Sequence, residues 1–221
     1  MIERKAPKIK EYELLSQKVY IIIKDRIVKD KYPAGSRIKE KKVAEELRVS
    51  ITPVREAFRK LATEGFIKKI PNKEGIIRDL SCDDIINSFS IRELLEGLAI
   101  RLATPNLKEK DLLKLEFYLK KMKEASTRKD IDSYLSRYTF YQNVILEKSQ
   151  NNLLKQMINN ISELSYYYNV KSLKVEGRFE KSINEHIQIF KALKEGNSRK
   201  AEILSRKHIR IVLENIIHHY L

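Results

Sequence analysis

The segment from Lys41 to Gly65 constrains the fold of this chain more than any other part of its sequence. Apolar residues recur there at helical spacing in two short runs, Val43 to Leu47 and Val54 to Leu61, which predicts two amphipathic helices. A polar break separates them, and Pro53 lies in the first turn of the second helix, where a missing N–H costs nothing. Two such helices are typical of a helix-turn-helix, whose second helix enters a DNA major groove. Periodicity alone leaves a plain helical hairpin as an equal alternative.

The residues after Gly65 predict a small β-hairpin. Two β-prone segments, 66–70 and 75–78, flank the turn-forming residues 71–74. A further amphipathic helical pattern over residues 14–28 precedes the helix pair. Three helices followed by a hairpin form the pattern of a winged helix, in which the wing gives a second DNA contact. This pattern favours DNA binding over the plain helical hairpin.

The charge of the chain indicates an anionic partner. Lys and Arg number 45 against 30 Asp and Glu, a net charge of +15. Residues 1–80 hold 21 basic and 12 acidic side chains, whereas residues 81–221 hold 24 and 18, so positive charge is denser in the N-terminal third. We therefore expect double-stranded DNA as the partner, ahead of an acidic membrane surface.

Residues 81–221 predict helices and no strands. Ser81 and Asp84 form a capping-box pattern at the first helix, and short links separate about six helical segments. Short connections favour an antiparallel bundle. The predicted fold is therefore mainly α, with a winged helix-turn-helix over residues 1–80 and an all-α bundle over 81–221.

Cysteine content and hydropathy predict where the protein works. The single cysteine, Cys82, permits no intrachain disulfide and suits a reducing compartment. No apolar run approaches the ~20 residues that span a bilayer. We expect a cytoplasmic protein with no membrane partner.

Four segments of the sequence carry a resemblance to a known family: PAGSRIKEKKVAEELRVSITPVREAFRKLATEGFI in the N-terminal part, and IRELLEGLAIRLA, FYQNVILEKSQNNLL and EHIQIFKALKEGNSRKAEIL in the helical part. On these residues the chain resembles a GntR-family transcriptional regulator of the FadR type. The first segment matches the family's DNA-binding signature, and the other three resemble its helical FCD-type ligand-binding domain. The resemblance implies a DNA-binding transcriptional regulator, with residues 1–80 for DNA and residues 81–221 for effector binding and dimerisation. It further implies a homodimer on a roughly palindromic operator.

The resemblance also implies a set of DNA contacts. They fall on the following residues: Lys41, Ser50, Thr52, Pro53 and Arg55 in the helix pair, and Asn72 in the wing. The family usually has arginine where this chain has Ile51. Isoleucine cannot hydrogen-bond a base edge but can contact a thymine methyl group, so we expect Ile51 to shift the recognition sequence.

In the helical domain, many relatives hold a divalent metal with one Asp and three His. Here Arg137 and Tyr141 occupy the first two of those positions, while His186 and His208 remain. A cation opposes a metal, so we expect no metal cofactor; any metal that did bind would use the two histidines. The hypothesis is that Arg137 binds an anionic effector, an organic or sugar acid, beside Tyr141, His186 and His208, with Arg92 as a further candidate.

Two other functions stay open. A DNA-binding regulator or chromosome-associated protein with a vestigial, effector-free helical domain is the first alternative. A helical metal-dependent enzyme is the second, but the sequence contains no P-loop, GxSxG or HExxH motif, and we expect no catalytic residues and no enzyme.

Overall fold

The computed structural model describes residues 9–28, 31–70, 74–78 and 81–220. Contacts between residues divide the chain into two units, Met1–Leu80 and Ser81–Leu221. Each unit has its own hydrophobic core, and each is described by itself below.

The N-terminal unit combines three helices with a three-stranded sheet. Its elements are α1 (Ile9–Val28), β1 (Arg37–Lys39), α2 (Glu40–Leu47), α3 (Ile51–Thr63), β2 (Ile67–Ile70) and β3 (Glu74–Ile77). The strand order is β1-β3-β2, antiparallel throughout, with Ile38 opposite Gly75 and Ile67 opposite Ile77. The helix pair and the wing agree with the predicted winged helix-turn-helix, and β1 is an additional strand.

Packing of α1 against α3 forms the core of this unit. Val19 and Ile23 of α1 and Val54, Phe58 and Leu61 of α3 are all buried. These α3 positions lie three and four residues apart, so they occupy one helix face, as the apolar pattern predicts. The opposite face of α3 is consequently turned outward.

The turn between α2 and α3 depends on a left-handed residue. Arg48 has φ 55° and ψ 41°, and its N–H and that of Val49 return to carbonyls of the last turn of α2. Ser50 occupies the N-cap position of α3 without a side-chain cap hydrogen bond. The serine hydroxyl is therefore not committed to starting the helix.

The second unit is entirely helical over residues 81–220. Its elements are α4 (Cys82–Ala103), a 3-10 turn (Thr104–Asn106), α5 (Glu109–Thr127), α6 (Ile131–Lys148), α7 (Asn152–Lys174), α8 (Arg178–Lys194) and α9 (Ser198–Tyr220). The capping box predicted at Ser81 and Asp84 is present, with each side chain bonded to the other residue's N–H. Six α-helices in the described part of this unit agree with the predicted bundle.

Close contact between α4 and α9 organises the bundle. Arg210 of α9 forms an ion pair with Glu93 of α4, at 2.5 Å between Nη2 and Oε1. One turn further along α4, a Cβ atom at Gly97 would lie 2.6 Å from Cγ of Arg206 on α9. Glycine at this position therefore lets the two helices approach closely, which sets the buried polar residues of α4 opposite those of α9. Within the described residues, no helix combines the length and apolarity needed to cross a membrane.

Candidate DNA interface and effector cavity

The N-terminal ends of α2 and α3 present polar residues at the surface. Lys41, Ser50 and Thr52 are exposed, and Ile51 is half-buried as the first residue of α3. Nζ of Lys41 lies 3.9 Å from the exposed carboxylate of Glu45, a contact too weak to hold the lysine in place. Hydroxyls, N–H groups and a positive side chain at a helix N-terminus suit the binding of phosphate. The structure thus leaves Lys41, Ser50 and Thr52 exposed at the starts of α2 and α3, with Ile51 half-buried.

Arg55 lies one turn further along α3 and is held by a carboxylate. Its Nε is 3.2 Å from Oε2 of Glu40, the first residue of α2. The Arg55 side chain remains 35% exposed, whereas the Glu40 side chain is 5% exposed. Arg55 therefore reaches the surface while its anchor lies in the interior of the unit.

Two of the predicted DNA contacts, Pro53 and Asn72, are not among the residues that the structure shows at this surface. The structure buries Pro53, which corrects its assignment as a contact: it shares a helix face with Val54 and Ala57 and packs inward. A proline at this position starts α3 rather than meeting a ligand. Asn72, the predicted wing contact, lies outside the described residues.

The helical unit contains two small, partly open chambers of about 30 Å³ each. Tyr138 of α6, His186 of α8 and His208 of α9 line both of them. The first chamber is completed mainly by α4, α6, α8 and α9, and includes Glu96, Tyr141 and Gln142. The second includes two buried arginines, as the following contacts show.

Arg92 is the first of these arginines, 2% exposed and fully engaged. Its Nε donates to Glu96 at 2.5 Å, Nη1 donates to Oδ1 of Asn169 at 3.0 Å, and Nη2 donates to the Tyr138 hydroxyl at 3.3 Å. Tyr138 in turn donates to the second oxygen of Glu96 at 3.0 Å. Burial opposes the charged guanidinium, yet Glu96 and Tyr138 outweigh it and raise the pKa of Arg92. The charge of Arg92 is therefore permanent and balanced.

Arg178, the second buried arginine, forms a chain with Glu185 and His208. Its two Nη groups donate to the two oxygens of Glu185 at 3.2 and 2.9 Å. The same carboxylate is 2.5 Å from Nδ1 of His208. Burial raises the pKa of Glu185, but the contacts with His208 and Arg178 outweigh it, and the net pKa is lowered. Glu185 is therefore a carboxylate at neutral pH.

His186 lies at the centre of the cavity and is neutral. Its ring centroid is 4.4 Å from that of His208. Burial, and after it the electrostatic effect of His208, Arg178 and Arg92, lowers the pKa of His186 well below its usual value. The imidazole therefore offers one N–H donor and one acceptor.

Four buried polar atoms at the cavity have no hydrogen-bond partner among the residues that the structure describes. They are the Tyr141 hydroxyl, Nε2 of Gln142, Nε of Arg178 and Nδ1 of His186. Buried polar groups in folded proteins are almost always paired, so a cluster of orphaned ones is typical of a ligand site.

Comparison with known proteins matches both units. The model of the gntR family of bacterial regulatory proteins matches residues 15–74, and the FCD domain model matches residues 87–211, more than half of the chain. The chain belongs to the GntR family, with an FCD domain. The resemblance deduced from the sequence is confirmed.

Relatives of this GntR regulator are similar along nearly their whole length. The HTH-type transcriptional regulator YdhC of Bacillus subtilis is 26% identical over 90% of this chain and 89% of that protein. The HTH-type transcriptional repressor RspR of Escherichia coli is 25% identical over 91% of this chain and 89% of that protein. The structure of E. coli McbR shares the fold, with a TM-score of 0.80 over 94% of this chain, 99% of that chain and 22% identity. The GntR regulator is thus a DNA-binding transcriptional regulator, and its family points away from an enzymatic role.

Arg137 does not belong to the cavity of this GntR regulator, which corrects the sequence hypothesis. The side chain is exposed and lines neither chamber. Helix α6 buries Tyr134, Tyr141 and Leu146, and Arg137 lies at the edge of that face because each residue turns the helix by about 100°. The other four predicted residues, Arg92, Tyr141, His186 and His208, do line the cavity.

Sequence reasoning missed several polar residues that line the cavity, among them Glu96, Tyr138, Gln142 and Arg178, and it missed Glu185, which binds Arg178. Tyr138 is the inward residue beside Arg137, one turn after buried Tyr134. Arg178 and Glu185 lie two turns apart on one face of α8, and this i, i+7 spacing of opposite charges was a usable signal. The spacing alone does not predict a buried ion pair, because an arginine at the start of a helix is usually exposed to solvent.

The cavity does not fit a divalent metal ion. A catalytic or structural zinc site uses at least three protein ligands, and His186 and His208 supply two imidazoles. Among the described residues no cluster of three His, Cys, Asp or Glu side chains could hold a metal. Two buried guanidinium groups beside the imidazoles further oppose a cation.

Proposed function

We propose that this GntR regulator binds a palindromic operator as a homodimer in the cytoplasm and that a small carboxylate-bearing effector in the two chambers modulates this binding. DNA contacts are assigned to the N-terminal end of α3, through Ser50, Ile51, Thr52 and Arg55, and to Lys41 at the start of α2. Their positions at the starts of α2 and α3, where Lys41, Ser50 and Thr52 are exposed and Ile51 and Arg55 are half-buried, support the assignment. Units 1–80 and 81–221 take the DNA-binding and the effector-binding roles, respectively.

The observation that carries the effector proposal is the set of orphaned polar atoms. Nε of Arg178 and Nε2 of Gln142 can only donate hydrogen bonds, and the Tyr141 hydroxyl can donate as well. An unpaired buried polar group costs about 1–3 kcal/mol, so a ligand that supplies acceptors gains from each. A carboxylate is the acceptor-rich group that best matches donors of this kind.

The size of the chambers implies a conformational change. A cavity must offer roughly 10–15 Å³ to hold one water molecule. Chambers of about 30 Å³ each therefore hold only water-sized groups. An organic acid must therefore displace the shared wall of Tyr138, His186 and His208. A ligand that binds one arrangement of this wall better than another shifts the population of states, which is how it would alter DNA affinity.

One observation favours an effector-free regulator as the second candidate. Arg92 and Arg178 are already paired with Glu96 and Glu185, so the two guanidinium charges are balanced without a ligand. In that function the orphaned atoms would bind ordered water. The two candidates differ in whether any acid stabilises the protein.

Thermal denaturation with a panel of organic and sugar acids separates them. A ligand that binds only the folded state raises the melting temperature, by an amount that grows with its concentration over its Kd. We expect at least one acid to stabilise the wild type and to lose this effect in Gln142→Leu and Tyr141→Phe, which remove orphaned atoms while keeping the two ion pairs. Stabilisation by no acid, or equal stabilisation of wild type and both variants, would refute the effector site.

A further inference from the structure

The recognition helix carries a cation held by a buried carboxylate. Arg55 lies in the second turn of α3, and its Nε is 3.2 Å from Oε2 of Glu40. Only 5% of the Glu40 side chain is exposed, against 35% of the Arg55 side chain. The guanidinium therefore bridges an interior carboxylate and the outward face of the helix pair.

The contact through Nε leaves the two Nη groups of the Arg55 guanidinium available to another partner. It also restricts the orientation of the group. The group is a planar fork of five N–H donors, and a bond from Nε engages one of them. The two Nη groups lie on the far side of the fork. Bidentate contact with a guanine edge or a phosphate uses parallel N–H donors of this kind. Because the plane is fixed before DNA binds, less rotamer freedom is lost on binding.

Glu40 also has reasons to remain paired with Arg55. It is the first residue of α2, where the positive end of the helix dipole stabilises a carboxylate. A buried carboxylate without a partner is strongly unfavourable, so the ion pair with Arg55 persists in the folded protein. Neighbouring cations have other partners: Lys39 lies 3.1 Å from Glu74, and Lys41 lies near Glu45.

We infer that Glu40 is a positioning residue for DNA recognition, whose buried carboxylate fixes the guanidinium of Arg55 for bidentate contact with the operator. The inference rests on the proposed function, in which Arg55 faces DNA. Electrostatics alone makes the opposite prediction, since a carboxylate near DNA phosphates weakens binding. The sign of the effect of removing Glu40 therefore separates positioning from simple charge.

The test compares two duplexes: one recovered from random DNA by the wild type, and a scrambled duplex of the same composition. Glu40→Met removes the acceptor at similar volume, and Glu40→Gln keeps a neutral acceptor. We expect Glu40→Met to weaken binding to the recovered duplex by about tenfold, the value of one bidentate contact, with binding to the scrambled duplex unchanged or tighter. Glu40→Gln is expected to fall between Glu40→Met and the wild type.

Two control variants and a stability measurement test whether a change of charge or misfolding, rather than lost positioning, explains the effect of Glu40→Met. Glu45→Gln makes the same change of charge on the exposed face of α2, and we expect it to change the affinities for both duplexes by the same factor. In a chain that already carries Arg55→Gln, Glu40→Met should no longer change the ratio of the two affinities, because the group it positions is absent. Melting curves of every variant verify the fold, and Glu40→Gln keeps the test valid if Glu40→Met does not fold.

Each outcome decides a different question. Suppose that the wild type recovers a sequence, but that Glu40→Met and Glu40→Gln leave the ratio of the affinities for the recovered and scrambled duplexes unchanged. That result would overturn the positioning role of Glu40 and leave the proposed function standing. Equal weakening on both duplexes would assign Glu40 to stability instead, and would also overturn the positioning role. If the wild type recovers no sequence from random DNA, the proposed DNA contacts fail and the inference fails with them.

Discussion

The two units of this GntR regulator use charged side chains in opposite ways. At the N-terminal ends of α2 and α3, Lys41, Ser50 and Thr52 are exposed and Arg55 is half-buried, whereas the carboxylate of Glu40 is buried. In the helical unit, Arg92 and Arg178 are 2% exposed and paired with carboxylates. A surface of positive charge binds any nucleic acid phosphate, whereas buried and balanced charges select a ligand by hydrogen-bond geometry. In the proposed function, DNA affinity and its regulation therefore depend on differently built sites.

The largest effect should come from removing a buried charge. Arg178→Ala leaves Glu185 without its bidentate partner, and we expect the free energy of unfolding to fall by about 3 kcal/mol. Urea denaturation at pH 7 measures this. Arg137→Ala, at an exposed position of α6, is the matched control and should change stability by less than ~0.5 kcal/mol. Equal losses in the two variants would contradict the distinction between buried and exposed charges.

A change at the DNA surface should alter specificity rather than stability. Ile51→Arg introduces the residue that the family resemblance implies for this position, at the half-buried start of α3. We expect selection from random DNA to return a sequence that differs at one base pair of each half-site, with a preference of about 1–3 kcal/mol for the new base pair. Identical recovered sequences for the wild type and the variant would show that Ile51 does not read DNA.

Acid should destabilise the helical unit through His186. Its pKa is lowered in the folded state, so the unfolded chain takes up a proton first as the pH falls. The stability that neutral His186 contributes is complete above its unfolded pKa of about 6.5 and is lost below it. We expect a loss of about 1.4 kcal/mol from pH 7.5 to 5.5 that is absent in His186→Gln. His219→Gln, at an exposed position near the C-terminus, should keep the full loss; its disappearance there would refute the assignment.

The smallest expected change in stability comes from removing a buried hydroxyl without a hydrogen-bond partner, compared with removing one that is paired. Tyr141→Phe removes a buried hydroxyl that has no hydrogen-bond partner among the described residues, so we expect the unliganded protein to be as stable or slightly more stable. Tyr134→Phe is the control, because the Tyr134 hydroxyl lies 2.8 Å from that of Ser182 and its loss should cost about 1 kcal/mol. Chemical denaturation compares them, and a larger loss for Tyr141→Phe would show that its hydroxyl is already satisfied.

The sequence predicted the elements whose structure depends on residues close together in the chain. The helix pair was predicted over residues 41–65 and is observed as α2 and α3 between Glu40 and Thr63, because apolar spacing and a proline at a helix start act within a few residues. Strand β1 was missed, since three residues with one buried member, Ile38, are too short to show an alternating pattern.

The cavity could be predicted only in part, because its composition depends on tertiary packing. The family pattern indicated Tyr141, His186 and His208, which line the cavity together with Arg92, the further candidate. It placed Arg137 in the cavity where Tyr138 actually lies, an error of one residue that only the packing of α6 against its neighbours resolves. The contact of Glu185 with His208 joins α8 to α9, so the sequence of neither helix alone predicts it.

The most direct test of the account measures DNA affinity with and without a bound acid. The duplex recovered by the wild type is titrated by fluorescence anisotropy, alone and with the acid that most raises the melting temperature. Coupled sites typically change affinity by about 5–150-fold, so we expect a shift in Kd of at least fivefold, absent in Gln142→Leu. A Kd that the acid leaves unchanged, although the acid stabilises the protein, would contradict the claim that the helical unit regulates DNA binding.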